Sequence, residues 1–179
     1  LRSEPRAAAL ASWIARAKTK MIVFVDAPEV ADLVTARLRD HLGSAKVLQA
    51  GAPDLSDNVR LDPVERFVEN AAIQVLVCDR RAEEGLNLQR TRAVLVHYDL
   101  PLAATRIEQR NGRVDRIDAA GAPRFFAFEG ASKYEDGWLS FLEERVRVFH
   151  RTVAPLQYIL SESSHRLRGR LVSEGAHAF

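Results

Sequence analysis

Gln109, Arg113 and Arg116 are four and then three residues apart, the spacing that brings side chains to one face of a helix. Two guanidinium groups and one amide on a shared face suit a polyphosphate. A guanidinium fork donates paired hydrogen bonds to phosphate oxygens and stays charged at any working pH. Ile107 and Val114 fall on the opposite side, where a core would lie. Gly112 leaves its turn without a side chain, which admits a ligand or a second backbone. On spacing alone, a solvated charged face explains an arginine-rich helix more often than a phosphate site does. The surrounding elements must decide between the two.

Those elements alternate between short apolar runs and amphipathic stretches. Residues 5–19 read as a helix, with Ala7, Leu10, Ile14 and Ala17 on one stripe. Met21-Ile-Val-Phe-Val25 is a continuous apolar run of the kind a strand buried on both faces requires. Asp26 ends it. Residues 28–42 are helical, with Gly43 as C-cap. A second strand follows over 46–49. Residues 50–61 are rich in Gly, Pro, Asp and Ser and read as a loop. Asp62-Pro63 opens a short helix, with Asp62 as cap and Pro63 at its first position. Strands then come at 73–78, 92–97 and 123–128, with a helix over 103–117 between the last two. The alternation predicts an α/β fold, a doubly wound, mainly parallel sheet with helices on both faces. In such sheets ligands bind at the carboxyl ends of the strands. That directs attention to the segments after residues 78 and 97.

From Tyr134 to Leu171 the pattern changes. Trp138, Phe141, Leu142, Val146, Phe149 and Val153 recur at helical spacing, and Pro155 is expected to divide the stretch into two helices. Its apolar stripe must bury against the sheet or against a neighbour. The chain thus divides into a leading helix over 1–19, an α/β lobe over 20–131, and a helical extension and tail over 132–179.

Bulk properties exclude several classes. No apolar run is long enough to span a bilayer, and no signal-peptide pattern opens the chain. The chain starts at Leu1, which fits a piece of a larger protein. A single cysteine, Cys78, rules out an internal disulfide, and the histidines lack ligand spacing, so no metal site is expected. A reducing, cytoplasmic setting follows. The net charge of +2 is too small to argue for nucleic acid. The excess of arginine over lysine is better explained by a GC-rich genome than by phosphate contacts.

Glu108-Gln-Arg-Asn-Gly-Arg-Val-Asp-Arg116 resembles motif VI of superfamily 2 helicases and translocases, Gln-x-x-Gly-Arg-x-x-Arg. Tyr98-Asp-Leu-Pro101 precedes it as in the Swi/Snf-like branch. Glu84-Gly-Leu-Asn-Leu-Gln89 is similar to that branch's motif V, and 21–25 with its following helix takes the place of motif IV. Motifs V and VI, one strand apart, form a specific pair. The resemblance implies the C-terminal RecA-like lobe of such a motor. It implies that Arg113 and Arg116 reach the γ-phosphate of ATP held with Mg²⁺ on a separate N-terminal lobe, with Gln109 helping to set the interface. It assigns Gly85 and Asn87 to the nucleotide side. Arg80, Arg81, Glu84 and Gly85 are assigned to nucleic-acid backbone, which positions a strand without reading its sequence. Arg80 and Arg81 depart from the branch, which usually has a small, Gly-rich stretch there. Cys78 stands where a small hydroxyl residue is common, and reads as a buried strand end. The tail over 147–157 is similar to that of bacterial Swi/Snf-like ATPases, among them phage-defence helicases, and the 134–171 helices are a candidate surface for a protein partner.

The sequence contains no Gly-x-x-x-x-Gly-Lys-Ser/Thr phosphate loop and no acidic pair for Mg²⁺. The resemblance therefore implies an ATP hydrolase only as part of a larger protein, with this chain inactive alone. Translocation on double-stranded DNA is the expected activity. Three other readings compete. One is a binding module derived from such a lobe. The second is an RNA helicase lobe, against which Asn87 and the Leu88-Gln89 extension count. The third is a receiver-like regulator, which would need an acidic cluster and a lysine at strand ends, an arrangement not visible in the sequence.

Overall fold

The computed structural model describes residues 3–17, 19–50, 63–83, 88, 91, 93–114, 124–129 and 132–149. Five strands are all parallel: β1 (Met21–Phe24), β2 (Val47–Ala50), β3 (Val75–Cys78), β4 (Val94–His97) and β5 (Phe125–Ala127). Their order across the sheet is β2-β3-β1-β4-β5. Every strand of β1, β3 and β4 is buried along its full length, which is why each is a continuous apolar run. Alternate side chains feed two cores. Met21, Val23, Val75, Val77, Val94 and Val96 face α1 (Ser3–Arg16) and α2 (Pro28–Leu42). Ile22, Phe24, Leu76 and Leu95 face α3 (Pro63–Glu69) and Val114 of α4 (Ala104–Val114).

Several ends follow from local chemistry. Pro28 sits in the first turn of α2, and Gly43 closes that helix with φ 95°, a backbone that disfavours other residues. The loop expected over 50–61 lies outside the described residues apart from Ala50, as does the cap Asp62. The leading helix packs into the same core as the sheet through Leu10, Ala11 and Ile14.

Beyond β5, α5 (Lys133–Ser140) is capped by Ser132, whose hydroxyl accepts from the Glu135 N–H. It runs into a π-helical turn, Phe141–Val146. The apolar stripe expected here buries against α4. Trp138, Leu142, Val146 and Val148 cluster with Ala104 and Ile107, and the Trp138 indole donates to the Pro101 carbonyl at 3.1 Å. A break comes at Arg147, ahead of the one expected at Pro155. Arg147 turns left-handed at φ 59°, and the N–H groups of Arg147 and Val148 both return to the Leu142 carbonyl. Phe149 therefore leaves the helix and meets the His97 ring edge-on. Pro155 and Val153 lie outside the described residues. Among the described residues no helix is long and apolar enough to cross a membrane.

Candidate functional site

The chain goes from β1 out to the edge strand β2, returns to β3 beside β1, then crosses β1 to reach β4 and β5. The carboxyl ends of β1, β3 and β4 therefore surround the point where the winding reverses, the place where open α/β sheets bind ligands. In register, Phe24 aligns with Cys78 and with His97, so the three strands end level. Asp26, Glu83 and Asp99 follow these ends. Asp26 donates its backbone N–H to Asp99 Oδ2 at 3.0 Å.

Helix α4 turns three arginines into this edge. Arg106 meets Glu83 as a fork, Nε to Oε2 at 2.9 Å and Nη2 to Oε1 at 2.8 Å. Its Nη1 also donates to the Asp26 carboxylate. Arg110 donates Nε to Glu83 Oε1 at 2.7 Å and Nη1 to the Asp99 carbonyl at 3.0 Å. Its guanidinium lies over the Phe24 ring, 5.4 Å from the centroid. Arg113 donates Nε to the main-chain oxygen of Glu83 at 2.7 Å. Arg110 is 0% exposed and Glu83 3%. Stripping water from such ions costs several kcal/mol each, so only good geometry and several hydrogen bonds can sustain them. Burial pushes the Asp99 carboxyl above its ordinary range, against the opposing pull of the Asp26 N–H and of Arg110.

Two neighbours steady the arrangement. Asp79, fully buried, accepts the Arg81 N–H at 2.8 Å and its Nε at 2.9 Å, closing the 3₁₀ turn Arg80–Glu83 at its start. His97 is buried at the end of β4, with Nε2 2.9 Å from Asn111 Oδ1. Burial, reinforced by the nearby Arg110 charge, lowers its ring pKa to about 3. The imidazole is therefore neutral at pH 7 and donates to the amide oxygen.

The residues singled out in the sequence fall in different places. Arg113 is half-buried at the carboxyl edge, while Gln109 and Gly112 are exposed. No heavy atom would touch a Cβ at Gly112 within 4 Å, so no second backbone approaches it among the described residues. Ile107 and Val114 are buried on the core side. Arg80 is exposed, and Arg81 is half-exposed on its Asp79 partner. Arg116, Glu84, Gly85 and Asn87 lie outside the described residues. Cys78 is buried, and burial raises its thiol pKa, so it stays protonated and is no nucleophile. Asp26, Glu83 and Asp99 stand beyond the strand ends, but arginines and not a lysine lie among them, so the receiver-like arrangement is not met. The strand order also departs from the 2-1-3-4-5 arrangement of flavodoxin-like receivers. Among the described residues no group of three His, Cys, Asp or Glu is disposed to hold a metal.

The family model described as the helicase conserved C-terminal domain matches residues 6–118, more than half of the chain. The chain belongs to that family. It is 32% identical over 90 residues, half of its length, to the "Uncharacterized ATP-dependent helicase YqhH" of Bacillus subtilis (strain 168), and spans 16% of that protein. The C-terminal domain of S. cerevisiae Dbp5 bound to Gle1 superposes with a TM-score of 0.59 at 16% identity, covering 88% of this chain and 90% of that one. The DUF1998 helicase MrfA bound to DNA superposes at 0.58 and 16% identity, covering 82% of this chain and 21% of that one. The fold is thus the RecA-like lobe of helicase C-terminal domains.

Within this helicase lobe, sequence reasoning overlooked Glu83, Arg106, Arg110, Asp26 and Asp99. One signal was present. Arg110 lies three residues after Ile107 and four before Val114, which puts a permanent charge on the buried side of α4. A charge there requires a buried counter-charge.

Proposed function

We propose that this chain is the second motor lobe of an ATP-dependent double-stranded DNA translocase of the Swi/Snf-like branch. In this reading Arg113 and Arg116 reach across a cleft to ATP·Mg²⁺ held on an N-terminal lobe of the same protein. The observation that carries it is the placement of Arg113 at the reversal point of the sheet, with its Nε anchored on Glu83. An anchored Nε fixes the plane of the guanidinium and so the direction in which it can donate. Developing negative charge on a transferred phosphoryl group is what an inserted guanidinium stabilises, and in GTPases such a finger is worth about 10³–10⁵ in rate. Gln109, exposed beside Arg113, serves the interface between the lobes. The name of the relative YqhH supports ATP dependence, and the DNA in the MrfA structure supports the nucleic acid.

The segment 84–89 follows the Arg80–Glu83 turn directly. Arg80, Arg81, Glu84 and Gly85 track the DNA backbone in this reading, and Gly85 and Asn87 face the nucleotide. The lobe extends over 20–131, flanked by the 1–19 helix and the 132–179 extension, whose helices offer a protein-binding face.

The test uses the full-length protein. Arg113→Ala and Arg116→Ala should each abolish DNA-stimulated hydrolysis while ATP binding, read by nucleotide fluorescence, is retained. Unchanged hydrolysis in both variants would remove the finger assignment. Stimulation by structured RNA and not by duplex DNA would replace the substrate. The isolated chain should show negligible ATPase activity, and measurable DNA-stimulated turnover by it would overturn the two-lobe reading.

A further inference from the structure

Arg113 does not set its own position. Its Nε is held on the Glu83 carbonyl, and the Glu83 carboxylate is held by Arg106 and Arg110 from the same helix. The turn and helix α4 are thereby joined at both the main chain and the side chain of one residue. Asp79 pins the other end of the turn.

We propose that Glu83 is a positioning residue for Arg113: gripped by Arg106 and Arg110, it sets the carbonyl that aims the Arg113 guanidinium. This rests on the finger reading above. An arginine side chain has many accessible rotamers, so an undirected one spends most of its time away from any single geometry. Fixing Nε on a rigid carbonyl removes that freedom before the phosphate arrives.

A merely structural ion cluster makes a different forecast. It would lower stability but leave turnover of the folded molecules unchanged. The two are separated in the full-length protein with saturating duplex DNA. Glu83→Gln keeps the volume and one acceptor but loses the charge that grips two arginines. Its kcat should fall about tenfold to a hundredfold, the cost of misplacing a reacting group by about an ångström, while the KM for ATP stays within about twofold. Lysine has no Nε–H donor at the position of the Arg113 anchor. In an Arg113→Lys background, adding Glu83→Gln should therefore lower kcat by less than about twofold. A kcat for Glu83→Gln within twofold of the parent would overturn the proposal, as would an equal fold-loss in both backgrounds. If Glu83→Gln melts below the assay temperature, Arg106→Gln takes its place under the same criteria, because it loosens Glu83 while Arg110 stays paired. A fully active Glu83→Gln beside an inactive Arg113→Ala sinks the positioning role alone. A fully active Arg113→Ala sinks the finger reading and the positioning role together.

Discussion

His97, the last residue of β4, is joined to Asn111 of α4 by a buried hydrogen bond of 2.9 Å. It ties the strand that ends at the site to the helix that carries Arg106, Arg110 and Arg113. The bond needs a proton on Nε2, which the neutral ring supplies in its Nε2–H tautomer. Burial, and then the Arg110 charge, hold the ring neutral by lowering its pKa to about 3.

The consequence is a pH-dependent stability. The unfolded ring titrates near about 6.5. Below that pH the unfolded chain takes a proton that the folded chain refuses. The contribution of His97 is complete above pH 6.5 and is lost as pH falls toward 3, at up to about 1.4 kcal/mol per pH unit. Urea unfolding at pH 7, 6 and 5 reads the slope. His97→Gln, whose amide can still donate to Asn111, should show a slope smaller by about one proton below pH 6. Equal slopes would show that the ring takes up its proton without unfolding.

Arg110 makes a second forecast. It is fully buried and binds Glu83, itself buried. Arg110→Met retains the packing against Phe24 but leaves the buried Glu83 carboxylate with Arg106 as its one arginine partner among the described residues. A hydrogen bond to a charged group is worth about 1.5–3 kcal/mol. The urea midpoint should fall accordingly. Adding Glu83→Gln to Arg110→Met should cost less than the sum of the two single changes, because the Arg110–Glu83 bond is then lost only once. Additive losses would mean that the two residues do not share one network.

How far this was legible in the sequence depends on what each feature requires. The strands are evident because both faces of the sheet are covered, so Met21–Phe24, Val75–Cys78 and Val94–His97 are apolar throughout. Helix α4 is evident from spacing. Spacing also shows that Arg113 shares a stripe with Gln109, and equally that it shares one with Arg106 and Arg110. It does not say which stripe faces the sheet, and the inward one is the second. The meeting of Asp26 with Arg106 spans 80 residues and is created by the parallel crossovers. No local pattern encodes it. The turn at Arg147 was equally hidden, since a non-glycine residue at φ 59° leaves no compositional mark and Val148 and Phe149 continue the apolar rhythm.

Trp138 tests whether the helical extension supports the site-bearing helix. Its ring packs with Ala104 and Ile107 of α4, and its indole N–H reaches Pro101. Trp138→Phe should cost about 1 kcal/mol, the worth of the lost hydrogen bond, with part of the ring packing kept. Trp138→Ala should cost about 3–5 kcal/mol through the cavity it leaves. Hydrogen exchange should then quicken in α4 as well as in α5. Faster exchange confined to 133–146 would show that the extension is carried by the lobe without bracing it.

Cys78 offers a reporter for all of these variants. It is the only cysteine of the chain, it is fully buried, and burial holds its thiol protonated. Only the thiolate reacts, so modification requires that the strand end be opened to water. Cys78 closes β3, immediately before Asp79 and the turn that ends at Glu83. In the parent protein its reaction with a thiol reagent should be limited by global unfolding, and its rate should track the urea-derived stability. Loosening the turn locally has a different signature. In Arg110→Met, labelling should accelerate by more than the change in global stability accounts for, because one of the two arginines that grip the Glu83 carboxylate is lost while the rest of the sheet stays paired. A rate that follows global stability alone in that variant would show that β3 and its turn open only when the whole lobe does.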